Sequence, residues 1–80
     1  MQNIKFLLKL YRFKGSTLSG SELLDLIGEF YSYPKSLKIR YILLDKNVII
    51  FIGLSREDKR FKLYKLADIP FDELAKKFSD

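Results

Sequence analysis

Neither cysteine nor histidine occurs in this chain of 80 residues, and that joint absence limits the folds open to it. Disulfides, zinc sites and the usual imidazole base are removed together. The length suits a single domain over residues 1–80 and is too short for two independent cores. A domain of this size buries only about 60% of the surface its unfolded chain exposes. Stability must come from one well-packed core or from a partner molecule, and neither metal nor cofactor is expected.

Lys5, Lys9 and Arg12 interrupt the apolar run between Met1 and Phe13. That segment therefore suits neither a signal h-region nor a membrane span, and a soluble cytoplasmic protein with no membrane partner is expected. One Gln, two Asn, one Thr and one Met accompany 31% charged residues, a depletion of thermolabile side chains that points to a thermophile.

Turn signals divide the chain into five or six elements without repeats. The stretch Asn3 to Lys14 fits both periods, since Ile4, Phe6, Leu8 and Leu10 align with period two and Ile4, Leu7, Leu8 and Tyr11 with the helical one. Its aromatic and β-branched residues favour a strand. In "SGSELLDLIGEFY", Ser19 precedes Glu22 by the spacing of a capping box, and Leu23, Leu24, Ile27 and Phe30 form the stripe of a helix reaching about Tyr31. Gly28 inside it reads as a close approach to a sheet, and Pro34 as a stop to the helix.

The runs Leu37 to Leu44 and Val48 to Gly53 flank Asp45-Lys46-Asn47 and read as an antiparallel hairpin, Asn47 supplying the left-handed conformation. Val48 to Ile52 carries no polar side chain and is expected mid-sheet. "KRFKLYK" then opens a third strand, Lys59 to Leu66. A last helix follows Pro70, with Asp72 and Glu73 early, Lys76 and Lys77 late, and Phe71, Leu74, Ala75 and Phe78 on one face. The expected fold class is α+β: a small antiparallel sheet of three to four strands with two amphipathic helices, in the order β-α-β-β-β-α. Phe30, Ile39, Phe51, Leu63, Leu74 and Phe78 are expected in the core.

Charge is distributed unevenly along the chain. Lys5, Lys9, Arg12, Lys14, Lys35, Lys38, Arg40, Lys46, Lys59, Arg60, Lys62 and Lys65 fall in the three strand-like basic segments, with only Asp45 opposing them. The helical segments carry Glu22, Asp25, Glu29, Asp68, Asp72, Glu73 and Asp80 against Lys76 and Lys77. With helices on one face of the sheet, the open strand face is positive beyond what the net charge of +5 conveys. On that face Lys38 and Arg40 would stand beside Ile42 and Leu44, and Arg60 and Lys62 beside Tyr64.

Cations interleaved with a ring suit nucleic acid, so Lys38, Arg40, Arg60, Lys62 and Lys65 are the candidate phosphate contacts and Tyr64 a stacking ring, with Tyr11, Tyr31, Tyr33 and Tyr41 at the rim. The expected partner is DNA or RNA bound with low specificity, and the role that of an accessory subunit. The competing explanation is lysine protecting an edge strand from aggregation. A second functional reading takes Ile42, Leu44, Ile50 and Ile52 as an apolar interface, for a homodimer or for docking to a larger complex.

Enzymatic chemistry finds little support. Gly15, Gly20, Gly28 and Gly53 are isolated and form no phosphate-binding loop. A ribonuclease built on Lys, Arg and Tyr is the residual enzymatic option. The expected order of elements from Ser19 onward resembles that of the double-stranded RNA-binding domain in coarse topology. That module opens its last helix with lysines, however, where this chain has Phe71, Asp72 and Glu73.

Overall fold

The computed structural model describes residues 4–78. Met1, Gln2, Asn3, Ser79 and Asp80 lie outside the described residues, so the opening of the expected Asn3 to Lys14 strand is not covered. The order is α1 (Ile4–Tyr11), β1 (Thr17–Ser19), α2 (Gly20–Gly28), α3 (Tyr33–Asp45), β2 (Ile49–Leu54), β3 (Lys62–Leu66) and α4 (Phe71–Phe78). The fold is α+β with a three-stranded antiparallel sheet, as the residue patterns indicate, but the described residues carry four helices and a different element order.

Residues 4–11 are helical because Phe6, Leu7 and Leu10 reach the core together, which the helical period allows and an alternating strand does not. The Phe6 ring lies 5.6 Å from Phe30, 5.5 Å from Tyr31 and 5.6 Å from Phe78. One fully buried ring thus joins α1, the turn after α2 and α4. Beyond Gly15, at φ +88°, the chain enters β1 and passes directly into α2.

The capping box that opens α2 is formed as its spacing implies. Ser19 Oγ accepts from the Glu22 N–H at 3.2 Å, and the Glu22 carboxylate accepts from the Ser19 N–H at 2.9 Å. Leu23, Leu26 and Ile27 are buried. The helix ends at Gly28, short of Tyr31, and Gly28 is exposed with nothing within 4 Å of where a Cβ would stand. The expected close approach to a sheet is therefore corrected.

The largest departure is at residues 33–45, where helix α3 replaces the expected strand Leu37 to Leu44. Ser32 takes the extended N-cap conformation and Pro34 sits in the first turn, where a missing N–H costs nothing. Pro34 thus starts a second helix, and the expected stop to the first is corrected, since α2 has already ended at Gly28. Ser36, Ile39 and Leu43 are buried, at i, i+3 and i+7. Asn47 is left-handed, at φ 59°, but it ends α3 and makes no hairpin turn. The hairpin expected at residues 45–47 does not exist, nor does the topology shared with the double-stranded RNA-binding domain.

The strand order is β1-β3-β2. The lysine-rich strand is therefore central and β2 is the edge, the reverse of the expected placement. The expected strand Lys59 to Leu66 begins only at Lys62, with Lys59 and Arg60 in the turn before it; Lys65 is paired on both sides, with Thr17 and Ile50, so edge protection does not account for it. One sheet face places Leu18, Tyr64 and Phe51 in register, and the other places Thr17, Lys65 and Ile50. Of the expected core, Ile39 and Leu74 are buried, while Phe30 and Phe78 pack against it half-buried. Leu63 is half-buried and Phe51 is exposed. Phe51 lies on the edge strand beside the irregularity that separates it from Gly53.

Reciprocal bonds close the fold at its other end. Lys46 Nζ donates to the Lys77 carbonyl at 2.8 Å, and Lys77 Nζ to the Lys46 carbonyl at 3.2 Å. These two cations serve the orphan carbonyls at the ends of α3 and α4. Lys9 pairs with Glu29, and Lys14 with Asp68 at 3.3 Å.

Candidate nucleic-acid interface

Helices α2 and α3 are joined by the short turn 29–32, a length that serves both an αα-hairpin and a helix–turn–helix. Burial of Ser36, Ile39 and Leu43 turns Lys35, Lys38, Tyr41 and Ile42 to solvent. The Ser36 hydroxyl donates to the Ser32 carbonyl at 2.9 Å, so the small polar residue on the buried face is satisfied within its own helix. Helix α3 has no acid before its last residue, Asp45. Tyr33 and Tyr41 are its exposed rings, at 69% and 65%, and the Arg40 guanidinium lies 5.3 Å from the Tyr41 ring centroid.

The β2–β3 hairpin stands beside this helix. Gly53, at φ +129°, lets β2 bend at its irregularity. The Ser55 N–H donates to the Phe61 carbonyl at 2.9 Å, and the Phe61 N–H to the Asp58 carbonyl at 3.0 Å. Asp58 accepts from the Arg60 N–H at 3.0 Å and from its guanidinium at 2.7 to 3.2 Å. The Arg60 guanidinium first, and then its backbone N–H, hold the Asp58 carboxyl below its ordinary range. The same pairing raises Arg60.

Between α2, α3 and β3 lies a groove of about 360 Å³ lined by Gly20, Ser21, Leu24, Arg40, Arg60, Phe61, Lys62 and Tyr64. Four of the six residues first singled out meet here, namely Arg40, Arg60, Lys62 and Tyr64. Lys62 and Tyr64 are two apart on β3 and share a face. Lys38 is on the exposed side of α3. Lys65 is on the opposite sheet face, in register with Thr17 and Ile50. Tyr64 is only 5% exposed, with its ring 5.8 Å from Phe51, so it is a core residue and its assignment as a stacking ring is corrected. Sequence reasoning left out Lys35, whose exposure beside Lys38 follows only from a helical period.

The other candidate set is divided between two elements. Ile42 and Leu44 lie on α3, exposed and half-buried respectively, and Ile50 and Ile52 are exposed on edge strand β2. They do not form the two strands of one hairpin. The division into basic strands and acidic helices also fails, since α1 and α3 are basic helices while Glu22, Asp25 and Glu29 lie on or just after α2. Among the described residues, no helix is long and apolar enough to cross a membrane, and no three potential metal-ligating side chains cluster.

No protein-family model matches the chain, and neither a curated protein nor a solved structure matches it.

Proposed function

We propose that this chain is a small non-enzymatic protein that binds duplex DNA with helix α3 and the β2–β3 hairpin. The observation that carries the reading is the groove in which Arg40 of α3 meets Arg60 and Lys62 of the hairpin. Helix α3 also exposes Lys35 and Lys38, on the flank of the helix away from Arg40. The second helix of a helix–turn–helix is the one that enters a major groove. A helix is about 10–12 Å across with its side chains and the groove about 12 Å wide. Acids Glu22 and Asp25 make the exposed face of α2 a poor surface for a phosphate strand, so the hairpin takes over the backbone contacts, and α2 borders the groove only through Gly20, Ser21 and Leu24. The narrow major groove of A-form RNA does not admit a helix, and burial of Tyr64 removes the ring that favoured single strands.

Fluorescence anisotropy with duplex DNA, duplex RNA and single-stranded oligonucleotides across a salt series tests this. Five contacts, from Lys35, Lys38, Arg40, Arg60 and Lys62, correspond to a slope of log K against log salt of about −4.5 on duplex DNA. The pair Lys38→Ala and Lys62→Ala should flatten it by about two. No binding to duplex DNA at low salt would refute the reading.

A second reading rests on the apolar edge. Ile50, Phe51, Ile52 and Leu54 of β2 are exposed, as is Phe61 after the loop, and an uncharged edge strand invites pairing. On this reading the chain is a homodimer or a subunit of a larger complex, and light scattering of the purified chain separates it from a monomer.

A further inference from the structure

We infer that the groove between α2, α3 and β3 is a discrete site for one phosphate group, with Arg40 as its anchor. The inference rests on the DNA-binding reading for its natural ligand, a backbone phosphodiester. Cations reach the groove from two elements, Arg40 from the middle of α3 and Arg60 and Lys62 from the hairpin, and no carboxylate lines it. Asp58 holds Arg60, but Arg40 and Lys62 have no acid at salt-bridge distance among the described residues. Glu22, in the adjoining turn of α2, has its carboxylate drawn back onto the Ser19 N–H.

Arg40 differs from a surface lysine in how it is held. Its Nε is buried and has no hydrogen-bond partner, while its guanidinium rests near Tyr41. A covered, unsatisfied donor on a cation is costly, and a shift of the side chain that brings it to an entering oxyanion removes that cost. Phosphate fits the planar guanidinium fork, accepting two parallel bonds where an ammonium offers a point charge. Lys62 supplies a second charge from the strand. Ser21, whose hydroxyl contacts Ser19 Oγ at 3.2 Å, closes the α2 side with a small polar group. A backbone held here is fixed relative to α3, so the site sets the register with which that helix meets a groove.

The test compares Arg40→Lys, Arg40→Gln and Lys65→Gln for duplex binding, with thermal melts to establish that each variant is folded. Lys65→Gln removes the same charge from the opposite sheet face. The expected result is a loss of at least about tenfold for both Arg40 variants and little change for Lys65→Gln. In addition, a duplex carrying single neutral methylphosphonates should show one position that weakens the parent chain and leaves Arg40→Lys unaffected. Equal losses at Arg40 and Lys65, or full binding by Arg40→Lys, would overturn the inference while leaving the DNA reading intact. Inorganic phosphate is the arm independent of DNA. At constant ionic strength it should shift the Arg40 Nε–H resonance where chloride does not, even if no duplex binds. An unmoved resonance with phosphate overturns the site.

Discussion

Substituting Tyr41 and Leu43 separately tests whether residues 33–45 are a helix. A strand would put Ile39, Tyr41 and Leu43 on one buried face, whereas the helix buries Ile39 and Leu43 and leaves Tyr41 65% exposed. Leu43 is fully buried, so Leu43→Ala loses its transfer free energy and leaves a cavity, for a cost of about 2–5 kcal/mol. A chain of this size has an unfolding entropy near 0.17 kcal/mol/K, from about 2.1 cal/mol/K per residue. The expected fall in Tm is roughly 12–30 °C. Total stability for such a domain is about 4–12 kcal/mol, so the variant is expected to sit near its unfolding threshold, and Leu43→Met, at under about 1.5 kcal/mol, provides a folded companion. Tyr41→Ala removes an exposed ring and gains helix propensity, so its cost should stay within about 1 kcal/mol. Circular dichroism melts and urea titrations measure all three. If Tyr41→Ala destabilised the protein as much as Leu43→Ala, the helical assignment and the site built on it would be refuted.

Gly28→Ala should stabilise by about 0.5–1 kcal/mol, because a Cβ there meets nothing within 4 Å and glycine is costly in a helix; a melt showing a loss would contradict that. Ser19→Ala should cost about 1 kcal/mol by removing the cap of α2, read from the same melts. Gly53→Ala, at φ +129°, should cost about 1–3 kcal/mol through backbone strain although the space is open. The Glu22 carboxyl, lowered by the Ser19 backbone N–H and then by its side chain, should titrate below a free glutamate when followed by carbon NMR. Because its folded pKa is lowered, the stabilisation is present above the unfolded value and is lost as pH falls through the folded one. A midpoint at or above that of free glutamate would count against the capping box.

Where local chemistry decides the outcome, the residues could be read directly. The Ser19–Glu22 box, the left-handed Asn47 and the amphipathic α4 are all present, because each depends on neighbours a few positions away. Helix α3 was illegible for a physical reason. Tyr33, Leu37, Ile39, Tyr41, Ile42, Leu43 and Leu44 surround the helix, so no apolar stripe marks a face, and β-branched and aromatic residues favour a strand until tertiary packing overrides them. In α1, Phe6, Leu7 and Leu10 satisfied both periods in part, and only their joint burial separates the two. Once α3 is a helix, the rest of the misplacement follows. Val48 to Ile52 loses its supposed neighbour and becomes an edge, the end of "KRFKLYK" from Lys62 onward becomes central, and Tyr64 turns inward. Arg40, Arg60 and Lys62 were legible as cations, but their convergence on one groove is tertiary and no spacing in the chain encodes it.

The central claim is that α3 and the hairpin form a surface for duplex DNA, and backbone amide chemical-shift mapping with a short duplex at low salt tests it most directly. The account expects shifts concentrated in residues 33–45 and 55–62, with α1 and α4 unmoved and the changes reversed by added salt. Shifts confined to α1 and α4, or none at all, would contradict it.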